Sequence, residues 1–207
     1  MLRTHLSFCV VGLLLAGMGA LAAETPKGER KPAPAPLGPP TKRQIQAARK
    51  AGKVQVKLET EKGTILLELD GKAAPTAVAN FLNLVNAGFY DGMPFHRVVR
   101  EPSPFVIQAG DPARVGKPAA GYTIPDEQSP LKHDKAGVIA MARLSGPSGM
   151  IPDSASTQFY ITLAPTPHLD PLGFAVFGHV VKGMEVADKI RVNDKIKKAT
   201  VVRKAEK

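Results

Sequence analysis

Eight short apolar runs, most of them set off by glycine or proline loops, limit what this chain can become. "KVQVKLET" and "TILLELD" flank the turn "EKG", and "PFHRVV", "FVIQAG", "GVIAMA", "QFYITL", "FAVFGHVV" and "KATVVRK" follow. Runs of this length carry strands, and the first pair reads as a hairpin. Two segments have a different period. "APTAVANFLNLVNAG" places Val78, Phe81, Leu82 and Val85 at helical spacing, with Pro75 in the first turn and Gly88 as the stop. "GMEVADKI" sets Val186 and Ile190 four apart and reads as a second helix. Many short strands with two helices predict a mainly β fold, a closed antiparallel barrel capped by helices.

What precedes the first strand is of another kind. Residues 1–23 read as a secretory signal: Arg3 supplies the positive end, an apolar run extends from Leu6 to about Met18, and Ala20-Leu21-Ala22 is a small-x-small cleavage site. The run is shorter than the roughly 20 residues a spanning helix needs, so no stable membrane insertion is expected after cleavage. Cys9, the chain's one cysteine, would leave with the signal, and the mature chain would have no thiol chemistry. Export makes the periplasm the expected compartment, with the extracellular medium as the alternative. Residues 24–52 form a Pro- and Lys-rich linker, carrying a short helix that starts at Thr41 and stops at Gly52. The folded domain spans 53–202, and 203–207 is a basic tail.

The net charge of +10 suggests an acidic partner, but its placement argues otherwise. Seven Lys/Arg and two Glu fall within 24–52, about half of the excess, so the charge reads as solvation of the linker. An oligonucleotide-binding barrel needs stacking aromatics in a charged groove, and aromatics make up only 5% of the chain. Nucleic acid is therefore not an expected partner, and a monomer is the default.

No familiar catalytic signature appears. The five histidines are dispersed without zinc-ligand spacing, which predicts no metal. "GPSGM" (146–150) lacks the last glycine of a nucleophile elbow. No phosphate loop or dinucleotide fingerprint is present, so no cofactor is expected. Asp153 and Asp170 read as turn or cap residues. What remains is Arg97. Alternation along a strand puts it on the same face as Phe95 and Val99, where a guanidinium is costly unless compensated. The plainest reading gives it an internal carboxylate.

A resemblance bears on Arg97. "FHRVV" (95–99), "FVIQAGDP" (105–112), "GVIAMAR" (137–143), "DSASTQFYITL" (153–163), "HLD" (168–170) and "AVFGHVVKGMEVADKI" (175–190) resemble, in order, the cyclophilin family of peptidyl-prolyl cis/trans isomerases. The helix "APTAVANFLNLVNAGFYDG" agrees, and the likeness covers about residues 53–202. It implies an eight-stranded antiparallel barrel with a helix over each end. It also implies that Arg97 is the catalytic arginine, with His96 beside it. Phe105, Val106, Gln108, Gln158, Tyr160, Leu169 and Phe174 then stand at pocket positions, Tyr160 where the family usually has Phe. Ala142 and Arg143 stand at substrate-backbone positions. His168 replaces a residue that is Trp or Phe in the family. Cyclosporin binding leans on that Trp, so weak binding is implied here. The loops 144–155 and 170–175 are longer than the family's common pattern. The implied partners are proline-containing, unfolded or partly folded polypeptides. The alternative function is a non-catalytic exported chaperone module on the same barrel.

Overall fold

The hairpin read from "KVQVKLETEKGTILLELD" is present. β1 (Lys53–Thr60) and β2 (Gly63–Asp70) pair antiparallel from Lys53 opposite Asp70 to Thr60 opposite Gly63. The computed structural model describes residues 37–111 and 118–202. The signal-like segment 1–23, the first part of the linker and the tail 203–207 lie outside the described residues.

Six further strands complete the main sheet. β3 (Met93–Val99) and β4 (Val106–Ala109) are followed by β5 (Val138–Met141). After a two-stranded hairpin of β6 (Ser145–Gly146) and β7 (Gly149–Met150) come β8 (Phe159–Thr162), β9 (Val176–Lys182) and β10 (Lys195–Val202). The order β1-β10-β3-β4-β8-β5-β9-β2 closes on itself, and every neighbouring pair is antiparallel. Closure removes the exposed edges that so many short strands would otherwise present. The hairpin of β6 and β7 occupies a stretch that reads as loop in the sequence; two-residue strands leave no alternation to detect.

The period of two decides what fills the barrel. Val56, Leu58, Ile65, Leu67, Leu69, Phe95, Ile107, Ile139, Phe159, Ile161, Phe177 and Ile196 are all fully buried in one cluster. α2 (Pro75–Asn86) packs against that cluster, with Pro75 in the first turn as the sequence suggests. Its Phe81 ring sits 5.0 to 5.3 Å from the rings of Tyr90, Phe159 and Phe177. The second helix is shorter than "GMEVADKI" suggests. α3 (Met184–Ala187) is one turn, after which Lys189 and Ile190 donate to the carbonyls three residues back. Val186 and Ile190 are both buried, and a tight turn achieves this as well as a longer helix.

The short helix of the linker is α1 (Lys42–Ala51), opened by a capping box between Thr41 and Gln44. It is docked on the barrel rather than tethered to it. Leu37 and Ile45 lie against the core, Ala48 is buried, and Gln44 donates to Asn83 of α2 at 2.9 Å. Packing against α2 supplies what its weak apolar pattern lacks.

Gly178 marks a tight point of the closure. It pairs with Leu69 on one side and Ile139 on the other, and a Cβ there would stand 2.3 Å from the Glu68 carbonyl oxygen. Gly178→Ala should therefore cost about 3 kcal/mol. Urea denaturation checks this; an unchanged midpoint would show that the seam has slack.

Candidate active site

Strands whose inner faces fill the barrel would ordinarily turn polar residues outward. β4, β8 and β5 turn mostly apolar ones, with Gln108 of β4 and Thr162 of β8 as the polar exceptions. All four residues of β5 and of β8 are buried, so both faces of these strands are covered. Val106, Val138, Ala140 and Tyr160 point away from the barrel core into a second cluster with Ala142, Leu169 and Val176, flanked by Phe105 and Phe174. Leu169 comes from a 3-10 helix, Pro167–Leu172, laid across this outer face. A cavity of about 620 Å³ opens above the cluster.

Arg97 reaches the cavity because β3 is irregular. Phe95 pairs with Ala109 and Arg97 with Gln108, so two steps along β3 match one step along β4, and His96 is the extra residue. This bulge reverses the alternation. Phe95 stays in the barrel core, whereas Arg97 lies outside, in register with Gln108. The expectation that Arg97 shares a face with Phe95 is thus corrected; the face it does share is that of Val99. Arg97 is exposed, its Nη1 donates to Gln108 Oε1 at 3.2 Å, and its guanidinium carbon sits 5.7 Å from the centre of the Phe105 ring. An amide and a ring are its neighbours, in place of the internal carboxylate that the plainest reading gives it.

The Gln108 contact begins a relay. Gln108 Nε2 donates to Gln158 Oε1 at 2.8 Å, and Gln158 Nε2 donates to Asp111 Oδ2 at 3.2 Å. Asp111 accepts at the far end, so each amide has one orientation open to it. Three strand and loop positions thereby hold one guanidinium in place.

The cavity brings together nearly all the residues singled out in the sequence. Arg97, His96, Phe105, Val106, Gln108, Ala142, Arg143, Gln158, Tyr160, Leu169 and Phe174 line it. His168 does not; it is exposed beside the cavity, its ring stacked on Phe105 at 5.6 Å between centres. Arg143 lines the cavity with its guanidinium already engaged. Nη1 pairs with Asp126 at 2.6 Å, Nη2 donates to the Leu172 carbonyl, and the group lies 5.0 Å over Phe174. The N–H of Ala142 donates to Gln158 O at 2.9 Å, which leaves its carbonyl as the group to offer a peptide.

Asp111, Leu144, Ser145, Met150 and Leu172 also line the cavity and were not singled out. Asp111 stands three residues past Gln108 in "FVIQAGDP", and that shared segment is the only signal for it. Ser145 and Met150 come from the β6–β7 hairpin, whose direction depends on contacts beyond the sequence.

Asp170, read as a turn or cap residue, lies in the 3-10 turn, and its carboxylate accepts from His133, with Nδ1 at 2.7 Å and the backbone N–H at 3.0 Å. Burial opposes its ionisation, but the bonds from His133, with Lys132 nearby, hold the carboxyl below the usual carboxylate range. Burial pushes the Tyr160 hydroxyl well up, Asp170 adding to the effect and Arg143 opposing it.

Fold and site together define a closed barrel with an external, largely apolar cleft lined, among the described residues, by a pair of amides, an engaged Arg143 and the exposed guanidinium of Arg97. Residues 55–206 match the family described as cyclophilin type peptidyl-prolyl cis-trans isomerase/CLD. The Schizosaccharomyces pombe protein "Peptidyl-prolyl cis-trans isomerase ppi1" is 42% identical over 139 residues, 65% of this chain and 83% of that one. "Peptidyl-prolyl cis-trans isomerase A" of Dickeya dadantii is 42% identical over 140 residues, 65% of this chain and 70% of that one. A crystal structure of a Cryptosporidium parvum cyclophilin type isomerase, solved in the presence of the dipeptide Ala-Pro, matches with a TM-score of 0.61 at 29% identity. That match covers 72% of this chain and 99% of the other. The chain belongs to the cyclophilin-type peptidyl-prolyl cis-trans isomerases.

Proposed function

We propose that this chain accelerates rotation about X–Pro bonds in polypeptides undergoing folding after export, with Arg97 as the catalytic residue. One observation carries the reading: the bulge in β3 aims a permanently charged guanidinium across an apolar slot and leaves it paired to an amide rather than neutralised.

The reaction needs no nucleophile. An X–Pro bond favours trans by only about 0.5–1 kcal/mol, yet its barrier is about 18–20 kcal/mol because of partial double-bond character. A catalyst must bind the twisted amide better than either planar form. Phe105, Val106, Tyr160 and Leu169 would seat the proline ring. Gln108 and the carbonyl of Ala142 would hold the chain on one side of the bond while the other side turns. Arg97 would donate to the proline's carbonyl and approach its nitrogen, which becomes a better acceptor as conjugation is lost. That interaction strengthens only as the amide leaves planarity, so it lowers the barrier. The relay through Gln108, Gln158 and Asp111 would keep the guanidinium from relaxing onto the peptide in its planar forms. Arg143, held by Asp126, would serve as a wall of the cleft.

Export rests on residues 1–23 alone: a basic start, an apolar run and a small-x-small site. It predicts that N-terminal sequencing of the protein from its source finds a chain beginning near Ala23 or Glu24 in the cell envelope or the medium. Recovery of a chain still starting at Met1 would overturn it.

Arg97→Ala should lower kcat/KM on a proline tetrapeptide in a protease-coupled assay by about 10²–10³-fold, the loss typical of one transition-state donor. Because the side chain is exposed, the melting temperature should move little. Full activity in this variant would remove Arg97 from the mechanism. His168 in place of the family's usual aromatic, set beside the cavity rather than on its lining, leads us to expect cyclosporin binding in the micromolar range or weaker. Nanomolar inhibition in the same assay would show that this corner of the cleft works as in cyclosporin-sensitive members.

A further inference from the structure

His133 touches the site from behind. It is fully buried and makes four hydrogen bonds. Its backbone N–H and its Nδ1 both meet Asp170 Oδ1, at 3.0 and 2.7 Å. Its carbonyl accepts from the Thr166 N–H at 2.8 Å. Its Nε2 lies 2.8 Å from the Tyr160 hydroxyl, the two rings nearly parallel at 14°. Thr166 precedes the 3-10 turn and Asp170 lies within it, on either side of Leu169, and Tyr160 stands on β8. One imidazole therefore ties together the two elements that supply opposite parts of the apolar slot. The proton assignment follows from the partners. An ionised Asp170 can only accept, so Nδ1 carries the proton, and Nε2 accepts from the Tyr160 hydroxyl.

Resting on the isomerase reading above, we propose that His133 is a positioning residue for the proline slot. Through the Tyr160 hydroxyl it holds the ring that forms the β8 side, and through Asp170 and Thr166 it holds the turn that presents Leu169. The hydroxyl is what makes the lever. A phenylalanine at 160 would offer Nε2 nothing, and a buried ring nitrogen without a partner is unstable. Here the extra oxygen, at the tip of the ring, is tied to His133, while another neighbour of the ring, Phe174, meets it edge-on at 5.7 Å. Loss of His133 frees Tyr160 to tilt, so the slot should bind a proline ring less well. The step that twists the amide, which belongs to Arg97, should stay intact. The effect should therefore fall on KM rather than kcat.

The test is a double-mutant cycle on a proline tetrapeptide with His133→Leu, Tyr160→Phe and the pair together, and with His133→Gln as the variant that keeps a donor and an acceptor. His133→Leu should raise KM about tenfold with kcat within about twofold, in line with one buried hydrogen bond. In the Tyr160→Phe background the same change should raise KM less than about threefold, because the lever is gone. His133→Gln should recover most of the lost affinity, and it covers the case in which the leucine variant does not fold. Three results would overturn the proposal: unchanged KM in a folded His133→Leu variant, effects that simply multiply in the double variant, or a fall in kcat alone. If the wild-type chain turns over no prolyl peptide, the isomerase reading fails instead. The placement of His133 is then read independently by proton–nitrogen correlation NMR of its ring. A proton on Nδ1 and shifted Tyr160 and Leu169 signals in His133→Gln support it; a proton on Nε2 alone, or unmoved signals, rejects it.

Discussion

One additional residue in β3 governs the rest of the site. In a strand of even alternation Arg97 would follow Phe95 into a barrel filled with aliphatic and aromatic side chains, where an unpaired guanidinium is not tolerated. The bulge at His96 reverses the direction and places the charge over an outer face instead. The barrel can then keep an unbroken apolar interior while presenting a cation within a few ångströms of it. Closure of the sheet matters for the same reason. A strand held on both sides cannot slip by one residue, and a slip of one residue would send Arg97 back inside.

The outer face of β4, β8 and β5 is largely apolar and so must be covered like the inner one, and on the outside that cover is only partial. The 3-10 turn supplies Leu169 and the loop beyond it supplies Phe174. What they leave uncovered is the cleft. Polar groups enter it in fixed orientations. Gln108 and Gln158 are committed by Arg97 at one end and Asp111 at the other, and Arg143 is committed by Asp126 and the Leu172 carbonyl. Of the two guanidiniums that line this cleft among the described residues, Arg143 is tied into a wall and Arg97 is held by a single amide. That difference in partners, more than proximity, is why we propose Arg97 for the chemistry.

Much of this was legible in the chain. The hairpin of β1 and β2, the helix from Pro75 and the run of short strands all follow from local spacing. The gathering of Arg97, Phe105, Gln108, Gln158 and Tyr160 follows from segments shared with a family. The failures have physical reasons. Arg97 was placed beside Phe95 because a bulge inserts no special residue in "PFHRVV". The helix over "GMEVADKI" came out as one turn because a tight turn buries Val186 and Ile190 equally well. The segment before β1 reads as a linker because its large apolar residues, Leu37 and Ile45, are few, whereas the docking of α1 adds to them the buried Ala48 and an amide contact to Asn83. The bond between His133 and Asp170 has no local signal because 37 positions separate them.

The sequence by itself determined the architecture class and the residue types available at the cleft, because periods of two and of 3.6 and the glycine and proline breaks are local properties. Only the tertiary structure decided which way Arg97 faces, which glutamine meets which, how Arg143 is occupied and that one histidine joins β8 to the 3-10 turn. Those outcomes depend on register across a closed sheet and on contacts between distant segments, and neither leaves a mark at any single position of the chain.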